Sequence, residues 1–264
     1  MLTMNVYISV VSHNHAKMIM EFDCLRKLAK RYKVVIKNNS ERESVILNDY
    51  CRENGIYIID YAYNTGFGKN NNIVFQFCVK KLGMTSDDYF ILINPDVIID
   101  SINIDKLISI IEKDMVDISG ISLYKDDSLS IRDYSIRNYP SLYTFFISFF
   151  RFHESYRVLP PNDDCSSVDM DWVAGSFMAF KTNAYSSLLG FDENYFMYCE
   201  DLDICFRAKS KGLNLKYIPS VTGIHKAQHN NRRLFSKHFY WHIKSALRFL
   251  VRKKIKLQVK SILK

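Results

Sequence analysis

The chain has 264 residues, 48% of them hydrophobic, which is enough for a substantial core in one large domain and excludes disorder throughout. No uncharged apolar run of about 18 or more residues occurs, the start MLTMNVYISVVSHNH is too short and polar-ended for a signal peptide, and the six cysteines form no CxxC pair or zinc spacing; a cytosolic protein with reduced, mostly buried thiols is expected. The net charge of +8 divides sharply, with −8 over residues 1–203 and +16 over residues 204–264, which contain no acid and so attract phosphates on nucleic acid, lipid or a sugar nucleotide.

In chain order, NVYISVVS (5–12) reads as a buried strand. AKMIMEFDCLRKLAKRY follows as a helical stretch with Ile19, Phe22 and Leu25 at helical spacing, and KVVIKNNS is the next strand. The alternation continues through a helix at SVILNDYCREN, a strand at IYIIDY, the loop NTGFGKN, a helix at NNIVFQFCVKKLG and a strand at YFILINPD. This pattern predicts an α/β fold with a mostly parallel sheet covered by helices on both faces. Ligands of such sheets bind beyond the carboxyl ends of the strands.

Those ends carry SHNH (12–15), NNSE (38–41), NTGFG (64–68) and NPD (94–96), all polar and rich in turn residues. Each alone reads as a connecting loop, but the topology places the four on one rim. Gly66 and Gly68 allow a sharp turn or a close backbone approach. No GxGxxG or GxxxxGK[ST] is present, so nicotinamide cofactors and P-loop chemistry are unsupported.

Beyond residue 100 the alternation is less regular. Segment 132–161 contains the aromatic patch YTFFISFF, too short to span a bilayer, which reads either as a buried helix or, with Arg137, Arg151 and Arg157 around it, as a surface at lipid headgroups. VDMDWVAGSFMAFK (168–181) joins the small-residue turn Ala174-Gly175-Ser176 to an apolar strand. GFDENYFMYCEDLDICFRAKSKG (190–212) places Glu200, Asp201 and Asp203 at a helix start, with Ile204, Cys205 and Ala208 towards a core. Three acids in four positions exceed what capping needs, so some should meet a cation or take a proton.

The ordered set VVSHN, VIKNNS, NTGFGKNNN, LINPDV and GSFMAFK...GFDENYFMYCEDLDICFR...GIH spans residue 6 to about 225 and resembles the family-2 glycosyltransferases. The resemblance implies a Rossmann-like nucleotide-diphospho-sugar transferase fold of the GT-A type. NPD, FMYCEDLDIC and SKHFYWHIKSALRFLVRK most resemble bacterial O-antigen rhamnosyltransferases, which move L-rhamnose from dTDP-L-rhamnose to a polyprenyl-diphosphate-linked sugar such as N-acetylglucosamine.

The resemblance implies a catalytic domain over residues 1–230, with a nucleotide-binding half (1–100) and an acceptor and catalytic half (101–230), followed by a basic amphipathic helix over 231–264. It implies that the nucleotide sugar lies against Val11, Ser12, His13, Asn38, Asn64, Gly66, Gly68, Asn94 and Asp96, and the acceptor beside Trp172, Gly175 and Ser176. Mg²⁺ or Mn²⁺ is implied at Asp96 and His225, since hard cations suit carboxylate and diphosphate oxygens. The acidic pair of the family falls on Glu200 and Asp201, the second being the base of an inverting transfer. Where relatives carry an Asp that recognises the pyrimidine ring, this chain offers Asn38, whose amide oxygen can still accept from a ring N–H.

In the tail, Phe235, Phe239, Ile243, Ala246 and Leu250 share one helical face and Lys237, Lys244, Arg248 and Arg252 the opposite one. The basic face is expected to meet an anionic membrane surface, which places the protein peripherally on the inner face of a bacterial cell membrane. A UDP-hexose donor is an alternative. A nucleotidyltransferase lacks support because VVSHNHAKM holds no Gly- and Lys-rich triphosphate loop, and a nucleic-acid partner is not expected because no zinc-finger or RNP-like signature accompanies the charge.

Overall fold

The computed structural model describes residues 4–139, 166–226 and 237–264. The first part alternates as the apolar periodicity predicts: β1 (Val6–Ser12), α1 (Ala16–Phe22), α2 (Cys24–Ala29), β2 (Lys33–Asn38), α3 (Ser44–Asn54), β3 (Tyr57–Ile59), α4 (Phe67–Leu82) and β4 (Tyr89–Ile93). One expected helix is two. Asp23 adopts a left-handed backbone, φ 55°, which its short polar side chain tolerates, and α2 restarts there with Arg26 paired to the Asp23 carboxylate. The second part contains β5 (Val97–Ile98), α5 (Ser101–Lys113), β6 (Ile118–Tyr124), β7 (Arg132–Asp133), β8 (Ile136–Arg137), β9 (Val168–Asp169), β10 (Trp172–Val173), β11 (Phe177–Lys181), α6 (Thr182–Ser187), α7 (Glu200–Ser210), β12 (Leu215–His225) and α8 (Lys237–Lys254). The aromatic patch YTFFISFF, Arg151, Arg157, Cys165 and Phe235 lie outside the described residues.

The main sheet has the order β3-β2-β1-β4-β11-β6-β12-β5, with β7 and β9 added at β6 and β12. Strands β3, β2, β1 and β4 are mutually parallel, β11 runs against both β4 and β6, and β12 is parallel to β6. Six of these strands therefore share one direction. The fold is the expected α/β architecture with a mostly parallel sheet.

Side chains alternate between two cores, as strands buried on both faces require. Val6, Ile8 and Val10 of β1, Ile91 and Ile93 of β4 and Ala179 of β11 point to one side, against Leu25, Leu47, Ile104 and Leu107 of the helices. Tyr7 of β1, Phe90 and Leu92 of β4 and Met178 and Phe180 of β11 point to the other, against Val74, Phe75, Tyr185 and Leu202. Phe75, Phe90, Phe180 and Phe191 surround Tyr185 with centroids 4.6–5.8 Å away. Each face is continuous, so the sheet is a rigid base for whatever its rim holds.

Three consecutive asparagines of α4 then fix the loops of that rim. All are buried, where an unpaired amide would be costly, and each spends its amide on a different neighbour. Asn70 accepts from Thr65 Oγ1 at 2.7 Å and donates to the Thr65 carbonyl at 3.0 Å, closing the loop before α4. Asn71 accepts from Ser9 of β1 at 2.7 Å. Asn72 accepts from the Tyr185 hydroxyl at 2.8 Å and the Phe191 N–H at 3.0 Å, tying α4 to the segment that leads into α7.

The carboxyl-terminal helix corrects the expected orientation. Arg252 is buried and Arg248 half-buried, and both reach the buried carboxylate of Asp192, at 2.6 and 2.8 Å, instead of facing outwards with Lys237 and Lys244. Ile243, expected inside, is exposed. A buried carboxylate needs a cation more than the core needs one further isoleucine, and that demand sets the rotation of α8.

Candidate active site

The parallel strands β1, β2 and β4 carry their carboxyl ends to one rim, and hydrogen bonds join the loops there. The Asn39 N–H donates to the Ser12 carbonyl at 2.7 Å and the Asn64 N–H to the Asn39 carbonyl at 3.1 Å. The Asn39 amide pairs with Thr65, accepting from its N–H at 2.9 Å and donating to its carbonyl at 3.0 Å. Val11, Ser12, His13, Asn64 and the Gly66 to Gly68 turn are thereby brought together. Gly66 lies so close to the backbone of Phe196 that no Cβ fits, and the next residue, Phe67, donates its N–H to the Phe196 carbonyl at 3.1 Å. The glycine that the sequence marks for close approach meets another chain segment there, while Gly68 packs beneath the Phe191 ring.

Asn38 sits differently from its expected role. Its side chain is fully buried; Oδ1 accepts from the Ser40 N–H at 3.0 Å and Nδ2 donates to Asp60 Oδ1 at 2.7 Å. Asp60 also accepts from Ser44 and Tyr63 at 3.0 Å each and from Asn48 at 2.6 Å; these donors outweigh its burial and lower its pKa. Beside it the buried Lys37 amine is pushed down to about 8 by desolvation, against the opposing charge of Asp60. Asp60 and Lys37 escape a reading of the sequence, because they look like ordinary strand-end residues until β2 and β3 are paired.

At the end of β4 the chain turns at Asn94-Pro95-Asp96. The Asp96 carboxylate lies 3.3 Å from His225 Nε2, and the other ring nitrogen, Nδ1, is 2.6 Å from Asp133 Oδ2. β12 pairs with β5 antiparallel, His225 opposite Val97, which is why a residue from the far end of the sequence meets the NPD turn. Burial opposes a charge on His225, but hydrogen bonds to Asp133 and Asp96 prevail and hold its pKa up at about 9. Burial likewise opposes the charges on Asp96 and Asp133, and the imidazole lowers both. His15 lies within electrostatic reach of Asp96.

The donor set fits a hard divalent cation in part. Asp96 and the Nε2 of His225 could be first ligands, with Asp133 orienting the ring from behind, as carboxylates commonly do for metal-bound histidines. Among the described residues there is no ready-made group of three or more metal-binding side chains, so substrate oxygens and water would complete the shell. A cation between Asp96 and His225 has to displace the proton now held there. Asp133 is a further residue missed from sequence; only the β6–β7 hairpin brings it to His225.

The second carboxylate site is built on α7. Residues Tyr198 and Cys199 both have left-handed backbones, φ 70° and 61°, and this double twist starts the helix at Glu200. Asp201 Oδ2 accepts from the Gly175 N–H at 3.0 Å. A methyl group on Gly175 would stand in ordinary van der Waals contact with Asp201 and Phe67, and the carbonyl of its neighbour Ser176 accepts from the Asn94 N–H at 2.9 Å. The two acidic positions thus lie on one rim, linked in the order Asp96, Asn94, Ser176, Gly175, Asp201.

The three acids of α7 part ways. Asp203 is fully buried, 2.7 Å from Arg207 and paired also with Arg252, so it is the one that meets cations. Glu200 is buried and its carboxyl is pushed up to about 8, first by desolvation and then by the charge of Asp201, so it carries a proton near neutrality. Asp201 remains half-buried on the rim. Trp172 Nε1, Ser176 Oγ and Glu200 Oε2 are buried with no hydrogen-bond partner among the described residues. Buried polar atoms in that state ordinarily mark bound water or a ligand, and these three flank Asp201 in sequence or across the Gly175 turn.

Over 253 residues, 95% of this chain and 94% of the other, 37% of positions are identical to "Rhamnosyltransferase WbbL" of Escherichia coli (strain K12). The chain belongs to the rhamnosyltransferases. A shorter stretch of 85 residues, 32% of this chain and 28% of the other, is 35% identical to "N-acetylglucosaminyl-diphospho-decaprenol L-rhamnosyltransferase" of Mycobacterium tuberculosis. The fold of this rhamnosyltransferase is also that of S. aureus TarS 1-349 in complex with UDP-GlcNAc, with a TM-score of 0.61 and 13% identity over 97% of this chain and 68% of that one. The GT-A type fold expected from the sequence is thus the one observed. No protein-family model matches the chain.

Proposed function

We propose that the chain transfers L-rhamnose from dTDP-L-rhamnose to N-acetylglucosamine on a polyprenyl diphosphate, with inversion at the anomeric carbon, in the synthesis of an O-antigen or related surface polysaccharide. The reading is carried by Asp201, a half-buried carboxylate held by Gly175 and joined through Ser176 and Asn94 to the Asp96 and His225 pair. The acceptor named for the Mycobacterium tuberculosis relative supports the lipid-linked sugar.

In the reaction the acceptor hydroxyl oxygen forms a bond to the anomeric carbon as the bond from that carbon to the donor phosphate oxygen breaks. The hydroxyl proton passes to Asp201, and the nucleoside diphosphate leaves. General-base assistance of this kind is worth a factor of about 10² to 10⁴. Protonated Glu200 lets the two adjacent acids coexist without a second negative charge next to the base. The loops at Ser12, Asn39 and Thr65 hold the donor on the rim, and Trp172 and Ser176 border the acceptor. Asp96 and His225, with Asp133 behind the ring, would hold Mg²⁺ or Mn²⁺. When bound, such an ion supplies positive charge against the departing diphosphate. An acceptor anchored in lipid requires the enzyme to work at the inner surface of the cell membrane. Among the described residues no helix is long and apolar enough to cross one.

Purified protein supplied with Mn²⁺ or Mg²⁺, a panel of sugar nucleotides and a lipid-linked acceptor should release dTDP with dTDP-L-rhamnose. A preference for a UDP-hexose would keep the mechanism and overturn the donor.

A further inference from the structure

Amphipathic helices on globular proteins ordinarily turn their apolar residues inwards and their charges to water. Along α8 the anchoring is partly reversed. Ser245, Ala246, Phe249 and Arg252 are buried, whereas Tyr240, Ile243, Leu247 and Val251 are 64%, 36%, 55% and 45% exposed. These four recur at three- and four-residue spacing and form one outward stripe, continued by Ile255, which is 57% exposed. Lys237, Lys244 and Lys254 are exposed on or beside the same face. No acid occurs anywhere in residues 204–264.

That combination selects an occupant. Nucleic acid would use the lysines but gains nothing from four large apolar side chains. A second copy of the same face would set lysine against lysine. An anionic bilayer takes both, since aliphatic and tyrosine side chains enter the boundary below the headgroups while lysines reach the phosphates.

The position of α8 gives the contact a consequence for the segment that leads into Asp201. Trp241 packs on Phe196 with ring centroids 4.6 Å apart, Ser245 Oγ donates to the Met197 carbonyl at 2.9 Å, and the Tyr198 hydroxyl is 3.0 Å from His238 Nδ1. Phe196 to Tyr198 is the segment that accepts the Phe67 N–H at one end and leads into Glu200 and Asp201 at the other. We propose that Tyr240, Ile243, Leu247 and Val251 lie in the interface of an anionic bilayer with the neighbouring lysines at lipid phosphates, so that α8 holds the rim that carries Asp201 near the membrane surface. The docking stands on the helix itself; only its effect on turnover rests on the lipid-linked acceptor proposed above.

The test uses the full chain with vesicles of phosphatidylethanolamine and phosphatidylglycerol, and with neutral phosphatidylcholine vesicles for comparison. Wild type should float with the anionic vesicles, and the double variant Leu247→Glu, Val251→Glu should lose about tenfold or more of that partitioning, because it places charge where apolar area enters. Turnover of a short-chain, water-soluble acceptor should stay at the wild-type level in the double variant, which also establishes that it folds, while turnover of a long-chain acceptor in vesicles falls. As a gain-of-signal measurement, Val251→Trp should show fluorescence quenching by brominated lipid. Undiminished flotation of the double variant, or no added quenching in Val251→Trp, overturns the docking face. So does a lipid-free dimer that the double variant converts to monomer, since the second copy would then be the occupant. Vesicle binding that behaves as expected with no turnover of either acceptor supports the docking and overturns the acceptor reading instead.

Discussion

The Gly175 N–H and Asp201 Oδ2 are 3.0 Å apart, and this bond aims the carboxylate of α7 at the turn before β11. The turn is in its place because Ser176 accepts from Asn94, so Asp201 is positioned from the same strand end that carries Asp96. Asp201→Asn keeps an oxygen that can accept from Gly175, so the fold and the donor site should survive. Turnover is expected to fall by about 10² to 10⁴, with donor affinity by calorimetry within a few-fold of wild type. Near-normal turnover would show that another group takes the proton.

Asp133 touches His225 from the side away from Asp96. Asp133→Asn should raise the metal concentration needed for half-maximal turnover by about 10- to 100-fold, the usual effect of losing a carboxylate behind a ligating histidine. A metal titration of the reaction rate reads this directly, and an unchanged titration would remove His225 from the cation site.

Glu200 has a folded-state pKa of about 8, above its ordinary 4.5, because burial and then Asp201 disfavour its charge. The folded state holds this proton more tightly than the unfolded one. The associated stability is complete below about 4.5 and is lost as pH climbs through 8. Glu200→Gln removes the titration, so melting temperature should depend less on pH across that window. At pH 8 the variant should gain on wild type by an amount of the order of 2 kcal/mol, discounted for relaxation around the buried group.

Gly66 faces the Phe196 backbone with no room for a methyl group. Gly66→Ala must push two backbone segments apart, at a cost of about 1–3 kcal/mol, and should weaken donor binding as well. Chemical denaturation together with donor calorimetry checks both, and loss of one without the other would separate the fold role of this turn from its ligand role.

Asp192 is fully buried between Arg248 and Arg252. Asp192→Ala leaves Arg248 without its carboxylate and Arg252 with Asp203 alone, and a loss of about 3–5 kcal/mol is expected. Hydrogen exchange should show α8 opening first. A variant with wild-type exchange over residues 237–254 would mean that the aromatic contacts alone hold the helix.

Much of the amino-terminal half is legible in the sequence because burial on both sheet faces leaves near-continuous apolar runs, and the residues that end them, Ser12, Asn64 and Asn94, stand out against those runs. Asp201 is visible for a related reason, since three acids crowd the start of a helix that continues with the apolar Ile204, Cys205 and Phe206. Asp133 and Asp60 are not, because each acquires its partner only through pairing between distant strands and neither interrupts a pattern. The orientation of α8 misleads for a physical reason. Periodicity ranks Arg252 as outward by its charge, and nothing local reveals the buried carboxylate at Asp192 that draws it in. The split of the first helix at Asp23 is equally silent, since Asp is acceptable in a helix and in the left-handed conformation alike.

The last ten residues do more than trail from α8. The Glu193 N–H donates to the Lys260 carbonyl at 2.8 Å, the Ile262 N–H to Glu193 Oε1 at 2.8 Å and the Lys260 N–H to Asp192 Oδ1 at 3.1 Å, while Gln76 of α4 donates to the Ile262 carbonyl at 3.2 Å. Residues 257–263 and the approach to α7 are therefore expected to melt as a single cooperative unit. A fusion partner or affinity tag joined after Lys264 would load the same Asp192–Glu193 contacts that precede α7, so differently tagged preparations are expected to differ in stability around that segment.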